Sequence, residues 1–135
     1  MAKGVWVYSP SKVKKEKLTD AQKSEISEKC QPLVEEFKQK YINPNPDKQS
    51  NYTVDIYTKW YQNYLYFCEK CKSEAENRIA DEFEDKFVRL TYIKKDCYQF
   101  SYFRHTGKWW LVEENLTLEK CFEMMRENSN FQPIG

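Results

Sequence analysis

Glycine is almost missing from this chain: Gly4, Gly107 and Gly135 lie far apart in 135 residues. No glycine-rich loop able to cradle a phosphate can be built from them, which argues against a nucleotide-dependent enzyme. Histidine is scarcer still. His105 stands alone, so any imidazole general base has to be that residue. So few glycines, with only five prolines, exclude a collagenous or low-complexity chain and imply that most of the length is regular structure.

No run approaches the roughly 18 consecutive apolar residues of a membrane span. The first residues, with Trp6, Tyr8 and Pro10, lack the apolar core of an export signal. A cytoplasmic protein with no membrane partner is expected. The five cysteines, Cys30, Cys68, Cys71, Cys97 and Cys121, are an odd number without such a signal. That favours reduced thiols over a disulfide framework and leaves the sequons at Asn51 and Asn115 without a role.

An excess of either charge is lacking too, with 22 basic against 21 acidic residues and a net charge of +1. Electrostatics alone therefore gives nucleic acid no support as a partner. The charges are unevenly spread, however. Residues 1–18 hold five lysines against Glu16, and read as a basic arm with a short β-favouring run from Val5 to Tyr8. Residues 19–135 read as a single domain.

Aromatics are abundant at 16% of the chain, so large rings must fill much of the interior. Thr19 offers a helix cap with Gln22 placed to complete a capping box. From there Ile26, Cys30, Leu33, Phe37 and Tyr41 recur at helical spacing. Pro32 removes the amide that would bond Glu28, which predicts a kink or two short helices meeting near Cys30 and Gln31. The run Asn43 to Asp47 breaks the helix.

Tyr52 to Tyr61 then alternates with the period of a strand, and with a turn at Gln62 and Asn63 a second strand reaches about Cys71. A polar loop from Lys72 to Glu82 follows. Phe83 to Lys94 and Cys97 to His105 form a second hairpin around Lys95 and Asp96. Gly107 supplies a turn into a fifth strand, Lys108 to Val112. Thr117 caps a closing helix with Leu118, Cys121, Phe122 and Met125 as its apolar stripe. The fold expected is α+β: an antiparallel sheet of about five strands, two hairpins plus one, with an N-terminal and a C-terminal helix packed on it.

The run Val54 to Tyr61, the run Phe103-Arg104-His105-Thr106-Gly107-Lys108-Trp109 and the closing helix together resemble a family of small uncharacterised bacterial proteins of unknown function. The resemblance covers most of the chain. It implies a stand-alone domain and brings no active-site residue with it.

Cys68-Glu69-Lys70-Cys71 is a Cys-x-x-Cys pair, and a redox or metal protein would use it, or His105. A structural zinc needs four ligands, which only Cys97 or His105 could complete. A redox pair needs a helix N-terminus to activate its thiolate, whereas residues three apart on a strand point to opposite faces. His105 beside a turn reads more simply as a strand-end hydrogen-bonding residue. No metal or cofactor is expected.

Strand alternation puts Val54, Ile56, Trp60, Leu65 and Phe67 on one face of the first hairpin, and Tyr57, Lys59, Tyr61, Tyr64 and Tyr66 on the other. In the second hairpin the same counting groups Phe87, Arg89, Tyr98, Phe100, Tyr102, Arg104 and Trp109 against Val88, Leu90, Phe103, His105, Trp110 and Val112. Clustered tyrosines with a lysine suit an interface, because the ring buries area while its hydroxyl stays wet, and the competing expectation is that a helix or the N-terminal segment covers this face as a second core. The expected function is a non-catalytic binding or protein-interaction module acting through Tyr57, Lys59, Tyr61, Tyr64 and Tyr66, with Arg104 and His105 nearby. Its partner would be another protein or a second copy. A small enzyme using Cys68, Cys71 or His105 is one alternative, and single-stranded nucleic-acid binding by the tyrosines, Arg104 and the basic arm is another.

Overall fold

The computed structural model describes residues 14–48, 50–74, 81–103 and 107–133. Val5 to Tyr8, Arg104 and His105 lie outside the described residues. The chain runs α1 (Asp20–Tyr41), β1 (Tyr52–Tyr61), β2 (Tyr64–Lys72), β3 (Glu82–Lys94), β4 (Cys97–Phe103), β5 (Trp109–Leu116) and α2 (Leu118–Glu127), then a 3-10 turn at Ser129–Phe131. The strands form one antiparallel sheet in the order β1-β2-β3-β4-β5. No helix of the described residues is long and apolar enough to cross a membrane.

Local signals account for the helix ends. The Thr19 hydroxyl accepts from the Gln22 amide at 3.1 Å, and the Gln22 side chain accepts from the Thr19 amide at 2.8 Å, closing the expected capping box. Thr117 caps α2 through the Lys120 amide at 3.2 Å. Pro32 does not divide α1, which is assigned as one helix of 22 residues. Pro32 and Glu28 are both exposed, so water can take up the carbonyl left without its amide.

Both helices lie on the same face of the sheet. Their stripes, Ile26, Cys30, Leu33, Val34 and Phe37 from α1 and Leu118, Cys121, Phe122 and Met125 from α2, share one core with Ile56, Leu65, Phe67, Val88, Leu90 and Phe100. Side chains lock the helices together. Arg126 pairs with Glu36 at 3.1 Å, while Gln132 donates to the Met125 carbonyl at 2.8 Å and accepts from Lys40 at 3.0 Å and from the Tyr41 hydroxyl.

Bulges decide which residues reach that face. A register shift between Thr53 and Asp55 removes Val54 from the expected core set and turns Thr53 inward, where it is buried opposite Cys71. A second shift, between Tyr92 and Lys94, inserts Ile93 and reverses the expected grouping of the second hairpin. Val88, Leu90 and Tyr92 therefore share the helix face with their partners Tyr102, Phe100 and Tyr98, whereas Arg89 faces Ser101. Phe87 reaches the helix face, as its ring contacts with Phe37 and Phe67 show. Trp109 keeps the company of Arg89, as expected, but opposite Phe103 and away from Tyr98. β5 also runs four residues beyond the expected end at Val112, through Glu113 and Glu114 to a left-handed Asn115 that returns Leu116 to the core.

Candidate binding face

The far side of the sheet, over which neither helix packs, carries the tyrosines singled out from the sequence. A two-residue turn at Gln62 and Asn63 sets Tyr61 opposite Tyr64, Lys59 opposite Tyr66 and Tyr57 opposite Cys68. Asn63 pins this turn to β3 by donating to the Tyr92 carbonyl at 3.0 Å. Continuing across the sheet, Tyr64 faces Thr91, Tyr66 faces Arg89, and these face Gln99 and Ser101 on β4.

The tyrosines divide into two groups. On the outer side the Tyr57 hydroxyl donates to Glu84, which also accepts from Lys59 at 3.0 Å and Lys86 at 3.2 Å. The hydrogen bonds from Tyr57 and Lys59, with Lys86 beside them, hold the Glu84 carboxyl down at about 2. Lys59 is therefore a partner of Glu84, and a Lys59→Glu change would set two carboxylates together, which makes it a poor probe of binding.

This pairing has a pH signature. Because the folded pKa lies below the ordinary carboxylate value of roughly 4.3, its contribution is full above about pH 5 and is lost as the pH falls toward 2. After solvent screening it is on the order of 1–2 kcal/mol. Thermal melts between pH 6 and pH 2 should show a steeper loss in the wild type than in Glu84→Gln. Parallel curves would show that the group contributes nothing to folding.

Toward the sheet centre lies an aromatic group that the sequence only half disclosed. Tyr64 and Tyr66 have ring centroids 6.2 Å apart, Tyr66 meets Trp109 at 5.6 Å, and Trp109 meets Phe103 edge-on at 5.2 Å. The Arg89 guanidinium sits 4.7 Å from the Tyr64 ring and 5.0 Å from Trp109. Lys15 and Lys86 each approach a ring at 5.8 Å, that of Tyr64 and of Tyr66 respectively. Tyr61 is the most open of the set at 61% exposure, with Phe103 at 45%. The missed residue is Arg89. Its signal was a single arginine between Val88 and Leu90 in an otherwise apolar run.

The cysteines are arranged differently from a reactive pair. Cys68 belongs to the far face opposite Tyr57, and Cys71 to the helix face opposite Thr53. Burial raises Cys68 to about 11 and Cys71 to about 12. Cys71, Glu69 and Asp85 bring their ligand atoms within 4.8 Å of one another. Glu69 accepts from the Thr53 hydroxyl, and burial raises the Asp85 carboxyl.

Burial also lifts Cys30 and Cys121 to about 12, which leaves Cys97 as the one partly exposed cysteine. Titration of the native protein with a thiol reagent should show one fast thiol, abolished by Cys97→Ser, with the rest released on unfolding. A fast Cys68 or Cys71 would contradict their burial.

No curated protein and no solved structure matches the chain. A family model described as "Domain of unknown function (DUF3024)" matches residues 18–133, from the last residue before the α1 cap to the last described residue. On that span the chain belongs to the DUF3024 family.

Proposed function

We propose that this domain is a non-catalytic binding module whose far sheet face contacts a partner protein or a second copy of the chain. One observation carries the reading: Tyr64, Tyr66, Trp109 and Phe103 form a continuous run of rings on the side of the sheet away from both helices. Large amphipathic rings cost little rotamer entropy when a partner covers them, and they dominate interface energetics. The separated, high-pKa thiols lend a redox role no comparable support. A bacterial cytoplasmic setting suits the reading, since five unbridged cysteines are stable there.

The test is Tyr61→Ala with Tyr64→Ala. Association is followed by sedimentation across a range of protein concentrations and by capture from a lysate, with the wild type run alongside. The double variant should melt within a few degrees of the wild type and lose the wild-type association. Association unchanged in the double variant, or unfolding of the kind a core truncation gives, would count against the face.

A further inference from the structure

On the helix side of the sheet a cleft of about 520 Å³ opens between the first half of α1, the start of α2 and the β3–β4 turn. Its size is that of a small-molecule site. Tyr92 and Tyr98 line it, 5% and 2% exposed, with their rings meeting edge-on at 5.6 Å between centroids. Neither hydroxyl has a hydrogen-bond partner among the described residues, and neither is closed off from solvent. A ligand in the cleft can therefore reach both. Ile26 from α1 and Leu118 from α2 add apolar wall beside them.

A carboxylate is held near each hydroxyl. Glu16 is pinned through its backbone, its amide donating to the Ile93 carbonyl at 2.7 Å and its carbonyl accepting from Asn63 at 2.8 Å. Asp96 is fixed at the turn before Tyr98, where one of its carboxylate oxygens accepts from the Leu118 amide at 2.9 Å. Burial raises both phenols, with the Glu16 charge adding to it at Tyr92 and the Asp96 charge at Tyr98, so each stays protonated at neutral pH. A carboxylate can only accept, and a phenol oxygen can accept beside its own O–H. The cleft is thus rich in acceptors. Its charged lining is acidic on balance, with Glu16, Glu25, Asp96 and Glu119 against Lys29 and Lys95, and Lys29 is already paired with Glu25 at 3.5 Å. An anion would be repelled there, whereas an ammonium brings both the N–H donors and the charge that this lining calls for.

We infer that the cleft binds a small organic amine, its ammonium donating to the Glu16 carboxylate and the Tyr92 hydroxyl and its apolar body lying against Ile26, Leu118 and the Tyr98 ring. The site is on the opposite side of the sheet from the aromatic binding face, and it stands or falls independently of that reading.

The experiment titrates the full chain with phenethylamine and follows its amide NMR spectrum, with phenethyl alcohol and hydrocinnamate alongside as neutral and anionic molecules of similar shape. Phenethylamine should saturate and shift the amides of Glu16, Tyr92, Asp96 and Leu118. The alcohol should bind about tenfold more weakly, and hydrocinnamate more weakly still. Glu16→Gln, at an exposed residue, should weaken the amine about tenfold, and Tyr92→Phe, which keeps the buried ring, about fivefold. Both variants should melt close to the wild type. Tyr61→Ala with Tyr64→Ala removes rings from the far face and should leave amine binding as it is. No saturable shift at millimolar amine, equal binding of the alcohol, binding indifferent to Glu16→Gln, or loss of amine binding in the far-face double variant would each overturn the assignment. The far-face reading is untouched by such a failure, because its own test measures association.

Discussion

Phe100→Ala should cost about 3–5 kcal/mol, measured by urea unfolding. Phe100 is fully buried at the middle of β4, and its ring meets Phe131 edge-on with centroids 4.8 Å apart, so the sheet and the C-terminal turn both lean on it. Truncation removes the transfer energy of the ring and leaves a cavity walled by two strands that cannot collapse into it. A domain of this size has only about 5–15 kcal/mol in total, so the loss is a large fraction of its stability. Tyr61→Ala, at a site 61% exposed on the other face, is the control and should shift the midpoint by less than about 1 kcal/mol. A Phe100→Ala midpoint equally close to the wild type would mean that the core is not where the burial pattern puts it.

The second large effect has the opposite sign. Pro32 sits inside α1 without an amide for the Glu28 carbonyl, and its ring crowds that carbonyl. Alanine restores the bond and is roughly 3 kcal/mol better in a helix interior, less up to about 1 kcal/mol for the freedom it returns to the unfolded chain. Pro32→Ala should therefore stabilise the domain by about 2 kcal/mol, a rise of several degrees in melting temperature. An unchanged or lower melting temperature would show that Pro32 contributes packing that offsets its missing bond.

The elements were legible because their signals are local. Thr19 and Gln22 announce one helix and Thr117 the other, and the alternation from Tyr52 to Tyr61 reads as a strand without reference to any partner. The face of Tyr57, Lys59, Tyr61, Tyr64 and Tyr66 was legible too, since a two-residue turn leaves no freedom in the register beside it. What escaped was whatever lies beyond a bulge. One extra residue at Ile93 exchanges the two sides of β3 relative to β4, and nothing in the apolar run Leu90-Thr91-Tyr92-Ile93 marks which residue is extra. The surroundings of Arg89 were hidden for a related reason. Tyr66 on β2 and Trp109 on β5 are separated by two strands, and their rings come within 5.6 Å where the strand position facing Arg89 holds only the short side chain of Ser101.

That the sheet pairs each strand only with its neighbours in the chain bears on how the protein emerges from a ribosome. Among the described elements α1 precedes the sheet, and its stripe of Ile26, Leu33, Val34 and Phe37 packs on strands that follow it in the chain. From then on each new strand finds its partner already made, and every closure is short, which is the condition for rapid assembly. The sheet can thus grow in step with translation, one ribbon at a time. α2 and the turn after it, which follow the sheet in the chain, then add Phe122, Met125 and Phe131 to the core that α1 shares.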